Sequence, residues 1–215
     1  MILRSPVELL IATNNKGKLR EVHEALHSLP VKLRYLNEFS HVSLVDEVGS
    51  TYEENAVLKS LNYAKQTGVC ALADDSGLEV DALGGGPGVY SARFGGENLS
   101  DRDRTQKLLS RLSEQALLRR GARFVCCMAL AGWQRRPGEG EPRLLTLSEA
   151  KCEGSIVTEA RGTNGFGFDP VFVPEGYLAT FAELPNEVKA RISHRAQALA
   201  GIRAFLLAGY LQLDR

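Results

Sequence analysis

Short apolar runs alternate along this chain with segments in which apolar residues recur every three or four positions. The run VELLIA at 7–12 is short and continuous, and it predicts a buried strand. The segment that follows predicts an amphipathic helix, because one helical face would collect Leu19, Val22, Leu26 and Leu29. Strand-like and helix-like segments continue to alternate, and this pattern predicts an α/β fold.

Two long apolar segments in the second half of the chain, ARFVCCMALAGW and RLLTLSEAKCEG, are joined by the Pro/Gly-rich stretch QRRPGEGEP. This arrangement predicts a β-hairpin, so the sheet is expected to be mixed and not purely parallel. Short strands are expected at 69–74 and at SIVTE, and a final helix from about Lys189 to Leu213. No repeat or linker interrupts the 215 residues, so we predict a single domain over 1–215.

The composition argues against several classes of protein. Lys plus Arg equals Asp plus Glu at 26 each, so no overall field attracts nucleic acid or a membrane surface. The N-terminal apolar run is short and predicts a strand, not a signal peptide or a membrane span. None of the four cysteines forms a C-x-x-C pair, which favours buried free thiols in a reducing cytoplasm over disulfides or a zinc site.

The loop ATNNKGK lies between the first predicted strand and the first predicted helix. A helix N-terminus presents unpaired N–H groups and a partial positive charge, and lysines beside it make an anion site, most naturally for phosphate. The spacing of a P-loop is absent. A capped helix start with solvated lysines is the alternative. The candidate residues are Thr13, Asn14, Asn15, Lys16, Gly17 and Lys18.

Two acidic pairs flank the start of the second predicted helix. Glu53 and Glu54 fall in its first turn, where acidic side chains suit the helix dipole. Asp46 and Glu47 precede the helix and have no such explanation, so they are candidate metal ligands. Lys59 lies further along the same helix and is a candidate to turn inward.

The stretch LADDSGLEVDALGGGPGVYSARFGG places Asp74 and Asp75 side by side at the end of a predicted strand, where α/β proteins bind ligands. Two adjacent carboxylates repel each other, but they become tolerable when a divalent cation lies between them and a polyphosphate. An acid from the Asp46/Glu47 loop would complete the oxygen ligands. An exposed turn with an Asp cap is the alternative. The glycines between 84 and 88 are expected to form a tight structural loop.

The stretch RGTNGFGFDPVF carries two aromatic rings on a glycine-rich loop. Because Phe166 and Phe168 are not on an amphipathic face, they are expected to act as stacking platforms for a base. Asp169 is an acceptor whose backbone is restricted by Pro170.

A group of donor side chains is expected at the start of the last helix. Lys189, Ser193, His194 and Arg195 would suit the carbonyl oxygens of a purine. A structural role is the alternative for His194.

Taken in order, the stretches ATNNKGKLREV, TYEENAVLKS, LADDSGLEVDALGGGPGVYSARF, RGTNGFGFDPVF and KARISHRAQAL resemble the inosine triphosphate pyrophosphatase family. Enzymes of this family hydrolyse ITP, dITP and XTP to the monophosphate and pyrophosphate and so remove them from the nucleotide pool. The resemblance spans nearly the whole chain. It implies an elongated mixed β-sheet flanked by helices, with two lobes around a central nucleotide-binding cleft. It also implies a dependence on Mg²⁺ and usually a homodimer.

The resemblance also implies roles for individual residues. Asp75 would be the catalytic carboxylate, and the metal ligands would be Asp74, Asp75 and one of Asp46 and Glu47. The implied substrate-binding residues are Thr13, Asn14, Asn15, Lys16, Gly17, Lys18, Lys59, Ser76, Phe166, Gly167, Phe168, Asp169, Lys189, His194 and Arg195.

Two other functions are compatible with a nucleotide site. One is a septum-inhibitor-like pyrophosphatase that acts on other nucleotides. The other is a catalytically silent nucleotide-binding regulator, and the presence of both Asp74 and Asp75 together with the lysine loop argues against it.

Overall fold

The computed structural model describes residues 7–96, 98–113, 120–133 and 140–210. The strands are β1 (Val7–Ile11), β2 (Val31–Tyr35), β3 (Cys70–Val80), β4 (Gly121–Gly132), β5 (Arg143–Ile156) and β6 (Phe172–Pro174). The α-helices are α1 (Lys16–Leu26), α2 (Tyr52–Thr67), α3 (Asp101–Ser113), α4 (Asn186–Ile192) and α5 (His194–Phe205). Short 3₁₀ turns lie at Leu36–Glu38, Asp81–Leu83, Gly88–Arg93 and Asp169–Val171, and a π-helical turn at Leu206–Tyr210.

The six strands form one sheet in the order β2-β1-β3-β4-β5-β6. Strand β1 pairs in parallel with both β2 and β3, whereas β5 and β6 are antiparallel. The predicted α/β class with a mixed sheet is therefore confirmed. The turn QRRPGEGEP falls largely on residues 134–139, which lie outside the described residues.

The chain divides into two compact units. The described residues of the first unit lie within 1–75, 127–149 and 198–215, and those of the second within 76–126 and 150–197. One boundary falls inside β3, between Asp75 and Ser76. The prediction of a single domain over 1–215 stays a prediction.

The core of the first unit follows from its apolar patterns. Leu9, Leu10 and Ile11 of β1 are fully buried, as a short continuous apolar strand predicts. On α1, Val22 and Leu26 are buried. Helix α2 begins with Thr51 as its N-cap in a capping box with Glu54, and both Glu53 and Glu54 lie in its first turn, where the sequence analysis places them.

The second unit has its own hydrophobic core, in which aromatic rings are prominent. The ring of Phe124 lies 4.7 Å from that of Phe172 and 6.1 Å from that of Phe181, measured between centroids. Leu78 of β3 and Leu108 of α3 are fully buried in the same cluster. The C-terminal part of β3 and helix α3 therefore share one hydrophobic core.

Three predicted boundaries are wrong. Strand β3 does not end at Asp74 but continues to Val80, so the two aspartates lie inside a strand. The predicted last helix is two helices, because Ser193 is extended between α4 and α5 with ψ of 154°. The predicted strand SIVTE is the end of β5 and stops at Ile156. The predicted end of the last helix at Leu213 lies outside the described residues.

All four cysteines are free and buried, as the sequence predicts. Burial and neighbouring carboxylates raise the pKa of the Cys127 thiol to about 12. Burial also raises the pKa of Cys152 to about 11. Among the described residues, no helix is long and apolar enough to cross a membrane.

We expect the native protein to resist thiol reagents at pH 8. A thiolate is the reactive form, and both burial and the raised pKa values of Cys127 and Cys152 keep the thiolate scarce. The measurement is labelling by a maleimide followed by mass spectrometry, with the protein unfolded in guanidinium as the control. Unfolded chains should take up four labels. Rapid uptake of even one label by the folded protein at either residue would contradict this burial.

Candidate active site

The loop between β1 and α1 is organised by its own side chains. Asn15 is the N-cap of α1, and its Oδ1 accepts hydrogen bonds from the amides of Gly17 at 2.9 Å and Lys18 at 3.0 Å. Thr13 Oγ1 accepts from the amide of Asn15 at 3.2 Å. Two amides of the first turn are therefore already satisfied, so α1 has the capped start of the alternative interpretation, although Lys18 is paired with Asp74 and is not a solvated lysine. What the loop can offer an anion is chiefly its lysine ammonium groups.

The two lysines of this loop have different surroundings. Lys18 Nζ lies 3.0 Å from Asp74 Oδ2, and the side chain of Asp74 is 3% exposed. Lys16 and Asn14 are exposed. The loop is therefore tied to the first of the paired aspartates by a partly buried ion pair.

The second aspartate, Asp75, has a lysine partner of its own. Lys59 of α2 turns inward, as predicted, and its Nζ lies 2.6 Å from Glu47 Oε1 and 3.3 Å from Asp75 Oδ1. Both Lys59 and Asp75 are buried. We call Lys18, Glu47, Lys59, Asp74 and Asp75 the carboxylate–lysine cluster.

Burial and charge act in opposite directions on these groups. Burial is the largest influence on Asp75 and raises the pKa of its carboxyl, although Lys59 and Lys18 oppose it. Burial lowers the pKa of Lys59, but Asp75, Asp74 and Glu47 outweigh it and the net pKa is raised. Lys59 therefore stays an ammonium, while Asp75 is more basic than an ordinary aspartate.

The structure distinguishes the two upstream acids that the sequence left open. The side chain of Glu47 contacts Lys59 and so belongs to the cluster, whereas Asp46 is exposed. Among the contacts of the described residues, the one made by Asp46 is that of its backbone carbonyl, which accepts from the amide of Val48 at 3.2 Å.

The carboxylate oxygens of the carboxylate–lysine cluster are suitable ligands for a hard divalent cation. Carboxylate oxygens are the preferred ligands of Mg²⁺, which commonly uses one or two of them and completes its shell with water and substrate phosphate. Three carboxylates against two lysines leave the cluster with a net negative charge. Within the described residues no three His, Cys, Asp or Glu side chains form a preassembled metal cage. The donors fit a cation that is shared with a phosphate ligand.

The second unit carries a cluster of a different kind. The Nη2 of Arg195, at the start of α5, donates to Ser76 Oγ at 2.8 Å. Its Cζ lies 5.6 Å from the centroid of Phe166, and Lys189 Nζ lies 4.6 Å from the same centroid. Arg195 and Lys189 are both buried. We call Ser76, Phe166, Asp169, Lys189 and Arg195 the aromatic–cation cluster.

Asp169 holds this cluster to its loop. Its Oδ2 accepts from Lys189 Nζ at 2.5 Å and from the amide of Phe166 at 2.8 Å. Gly165 makes the approach possible, because its φ is 75° and a Cβ there would lie 1.9 Å from Asp169 Oδ2. The loop conformation therefore depends on both Asp169 and Gly165.

The expectation that both phenylalanine rings stand outside the core is wrong for Phe168. Its side chain is buried in the hydrophobic core of the second unit and meets Phe94 edge to face at 6.4 Å. Phe168 is therefore a core residue, and its predicted role as a stacking platform stays a prediction. Phe166 is only partly buried and remains available for stacking.

His194 is buried and stacks on Phe124, with centroids 4.7 Å apart and ring planes 10° apart. This packing matches the structural alternative for His194. Its predicted contact with substrate stays a prediction.

Three polar residues of these surroundings were missed by the sequence analysis. Asp101 Oδ2 accepts from the amide of Gly167 at 2.7 Å, and Thr105 Oγ1 donates to the carbonyl of Gly167 at 3.3 Å. Asn55 of α2 donates to Asp75 Oδ2 at 3.2 Å. Only Asn55 had a sequence signal, because asparagine is a poor helix-interior residue.

Comparison with known proteins supports one family. The sequence model of the Ham1 family matches residues 9–205. A protein of Bacillus anthracis named dITP/XTP pyrophosphatase is 43% identical over 192 residues, which cover 89% of this chain and 92% of that protein. A protein of the same name from Geobacter sulfurreducens is 47% identical over 200 residues, covering 92% and 96%.

The fold agrees with the sequence comparison. The structure of a HAM1 protein from Coxiella burnetii superimposes with a TM-score of 0.83 at 42% identity, over 94% of this chain and 100% of that one. The resemblance drawn from the motifs is therefore confirmed, and the chain belongs to the Ham1 family.

Proposed function

We propose that this protein hydrolyses the non-standard purine nucleoside triphosphates ITP, dITP and XTP to the monophosphate and pyrophosphate. The observation that carries the proposal is the buried Asp75 carboxylate, held between Lys59 and Asn55 and beside the Lys18–Asp74 pair. The relatives named dITP/XTP pyrophosphatase support dITP and XTP among these substrates.

In this proposal Asp75 is the general base. It accepts a proton from a water molecule as the water oxygen bonds to the α-phosphorus. The bond from that phosphorus to the oxygen that bridges to the β-phosphate breaks, and pyrophosphate leaves. The raised pKa of Asp75 makes it a stronger base than an ordinary aspartate, which suits proton abstraction near neutral pH.

The lysines of the carboxylate–lysine cluster would stabilise charge on the phosphates. Lys18 and Lys16 lie beside the start of α1, and positive groups placed where charge develops favour the transition state. Lys59 keeps Asp75 and Glu47 in place through its two ion pairs. Asp74, Asp75 and Glu47 are the residues that would hold Mg²⁺, which when bound would supply positive charge to the phosphates.

The aromatic–cation cluster would bind the base. Phe166 offers a partly exposed ring, and Lys189 and Arg195 offer N–H donors beside it. The 6-carbonyl of hypoxanthine or xanthine accepts hydrogen bonds, whereas the 6-amino group of adenine donates them. Asp101 and Thr105 would support this site indirectly by holding Gly167 in the loop.

The remaining proposals rest on the family resemblance. We propose a homodimer and a cytoplasmic location, with nucleotides and not nucleic acid polymers or membranes as partners. The equal numbers of basic and acidic residues, 26 each, support the last point.

Asp75→Asn should abolish turnover and leave the fold intact. The change is nearly isosteric but removes the base and one negative charge, and losses of this kind are on the order of a hundredfold or more in kcat. The measurement is pyrophosphate release from ITP with Mg²⁺, with circular dichroism and Tm to verify folding. A folded variant with near-normal kcat would show that Asp75 is not the base.

Glu47→Gln and Asp46→Asn should differ sharply, although each removes one carboxylate charge from the same loop. Glu47 contacts Lys59 and Asp46 is exposed, so only Glu47→Gln should lower kcat and raise the Mg²⁺ concentration needed for half-maximal activity. A Mg²⁺ titration of pyrophosphate release compares the two. If Asp46→Asn has the larger effect, the assignment of Glu47 is wrong.

The enzyme should prefer ITP over ATP by on the order of a hundredfold in kcat/KM, which corresponds to two unpaired buried groups at about 1–1.5 kcal/mol each. Lys189→Gln should narrow this ratio because it weakens the donor set. Arg191→Ala removes an exposed cation from the same helix and should leave the ratio unchanged. Similar kcat/KM values for ATP and ITP in the unmodified enzyme would refute a donor-lined base site.

A further inference from the structure

Asn55 is a fully buried polar residue in the first turns of α2. Its side chain makes three hydrogen bonds. Its Oδ1 accepts from the amide of Gly49 at 2.8 Å, and its Nδ2 donates to the carbonyl of Gly49 at 3.4 Å and to Asp75 Oδ2 at 3.2 Å. One amide group therefore joins the backbone of the preceding loop to the carboxylate proposed as the base.

The chemistry of the partners determines the orientation of this amide. The Gly49 N–H can only donate, so the group facing it must be the Asn55 oxygen. The Gly49 carbonyl and the Asp75 carboxylate accept, so the group facing them must be the Asn55 nitrogen, which carries two hydrogens. No other common side chain of this size supplies one acceptor and two donors in these positions.

Gly49 is fitted to the same contact. A Cβ at this position would lie 2.7 Å from Asn55 Oδ1 and 2.8 Å from the Cβ of Glu54. The loop can approach the helix this closely only because residue 49 has no side chain. The contact therefore depends on both the glycine at position 49 and the asparagine at position 55.

Asn55 is connected to two members of the carboxylate–lysine cluster, to Asp75 directly and to Glu47 through the backbone of Gly49. Glu47 lies two residues before Gly49 and is held at its carboxylate by Lys59. We call residues 46–49 the Glu47 segment. Asn55 holds the backbone end of this segment, and with its remaining hydrogen it orients the Asp75 oxygen that does not contact Lys59.

We propose that Asn55 is a positioning residue, which sets the distance and orientation of Glu47 relative to Asp75 without contacting the substrate. The proposal rests on the function proposed above for its kinetic consequence. Groups that orient metal-binding or catalytic side chains typically contribute about 10–100-fold to activity. The effect of Asn55 should appear in kcat more than in KM, because the base and polyphosphate contacts belong to other residues.

Two variants separate the bond that Asn55 accepts from the Gly49 amide from the bond that it donates to Asp75. Asn55→Ala removes all three hydrogen bonds. Asn55→Asp keeps an acceptor for the Gly49 amide but, when ionised, loses both donated bonds and places a negative charge beside Asp75. Asn62→Ala is the matched control, because Asn62 is a partly buried asparagine of the same helix that bonds only to the carbonyl of Leu58 among the contacts described.

The first measurement is hydrogen–deuterium exchange of the Gly49 amide by NMR, which needs no substrate. Exchange should be slow in the unmodified protein, in Asn55→Asp and in Asn62→Ala, and at least tenfold faster in Asn55→Ala. Equal exchange in Asn55→Ala and the unmodified protein, with Tm confirming that both are folded, would overturn the anchoring of the segment.

The second measurement is a double-mutant cycle on kcat for ITP hydrolysis. Asn55→Ala should lower kcat by about 10–100-fold in the unmodified protein and by a clearly smaller factor in a Glu47→Gln background. Asn55→Asp should also lower kcat although its Gly49 amide stays protected. The same factor in both backgrounds, or a normal kcat in Asn55→Asp, would overturn the positioning role.

The two proposals fail in distinguishable ways. If the unmodified protein releases no pyrophosphate from ITP, dITP or XTP, the proposed function is wrong. The exchange measurement then still decides whether Asn55 holds the Glu47 segment, because it compares folded proteins without substrate.

Discussion

The first unit depends on neutralising two adjacent carboxylates inside a buried strand. Asp74 and Asp75 are consecutive residues of β3, and an isolated buried charge is strongly unfavourable. Each receives its own ammonium group, Lys18 from the loop before α1 and Lys59 from α2. The positions of both helices are therefore linked to the same point on the sheet, since removal of either lysine would leave a buried carboxylate without its compensating charge.

The second unit also contains buried charged groups, but there they are mainly positive. Here the buried groups are chiefly cations, and Lys189 is compensated by Asp169 while Arg195 bonds to Ser76. Both cations also approach the ring of Phe166, whose face is electron-rich. A cluster with excess carboxylate suits a metal with its phosphate ligands, and a cluster with excess N–H donors suits a carbonyl-bearing base. The two clusters therefore differ in the charge they carry, and each suits a different chemical group.

Glycines serve both clusters by permitting close approach. Gly49 admits the side chain of Asn55, and Gly165 admits the carboxylate of Asp169. In each case a polar side chain bonds to the backbone of a loop and fixes the residue that carries the chemistry. A loop whose backbone is fixed in this way loses less conformational entropy when a ligand binds to its side chains.

Much of the organisation was determined by the sequence itself. Apolar periodicity specified the α/β class, the burial of β1 and the inner face of α1, because local patterns of polarity report which face of an element is buried. The polar motifs identified Asp75, Lys59 and Lys189 as candidate site residues, from a pair of adjacent carboxylates at a strand, a helix lysine placed to turn inward and a group of donors at the last helix. Only the tertiary structure showed that Glu47 contacts Lys59 while Asp46 is exposed, placed Phe168 in the core and connected Asn55 to Asp75. These outcomes depend on which residues distant in the chain become neighbours, and local pattern carries no information about that.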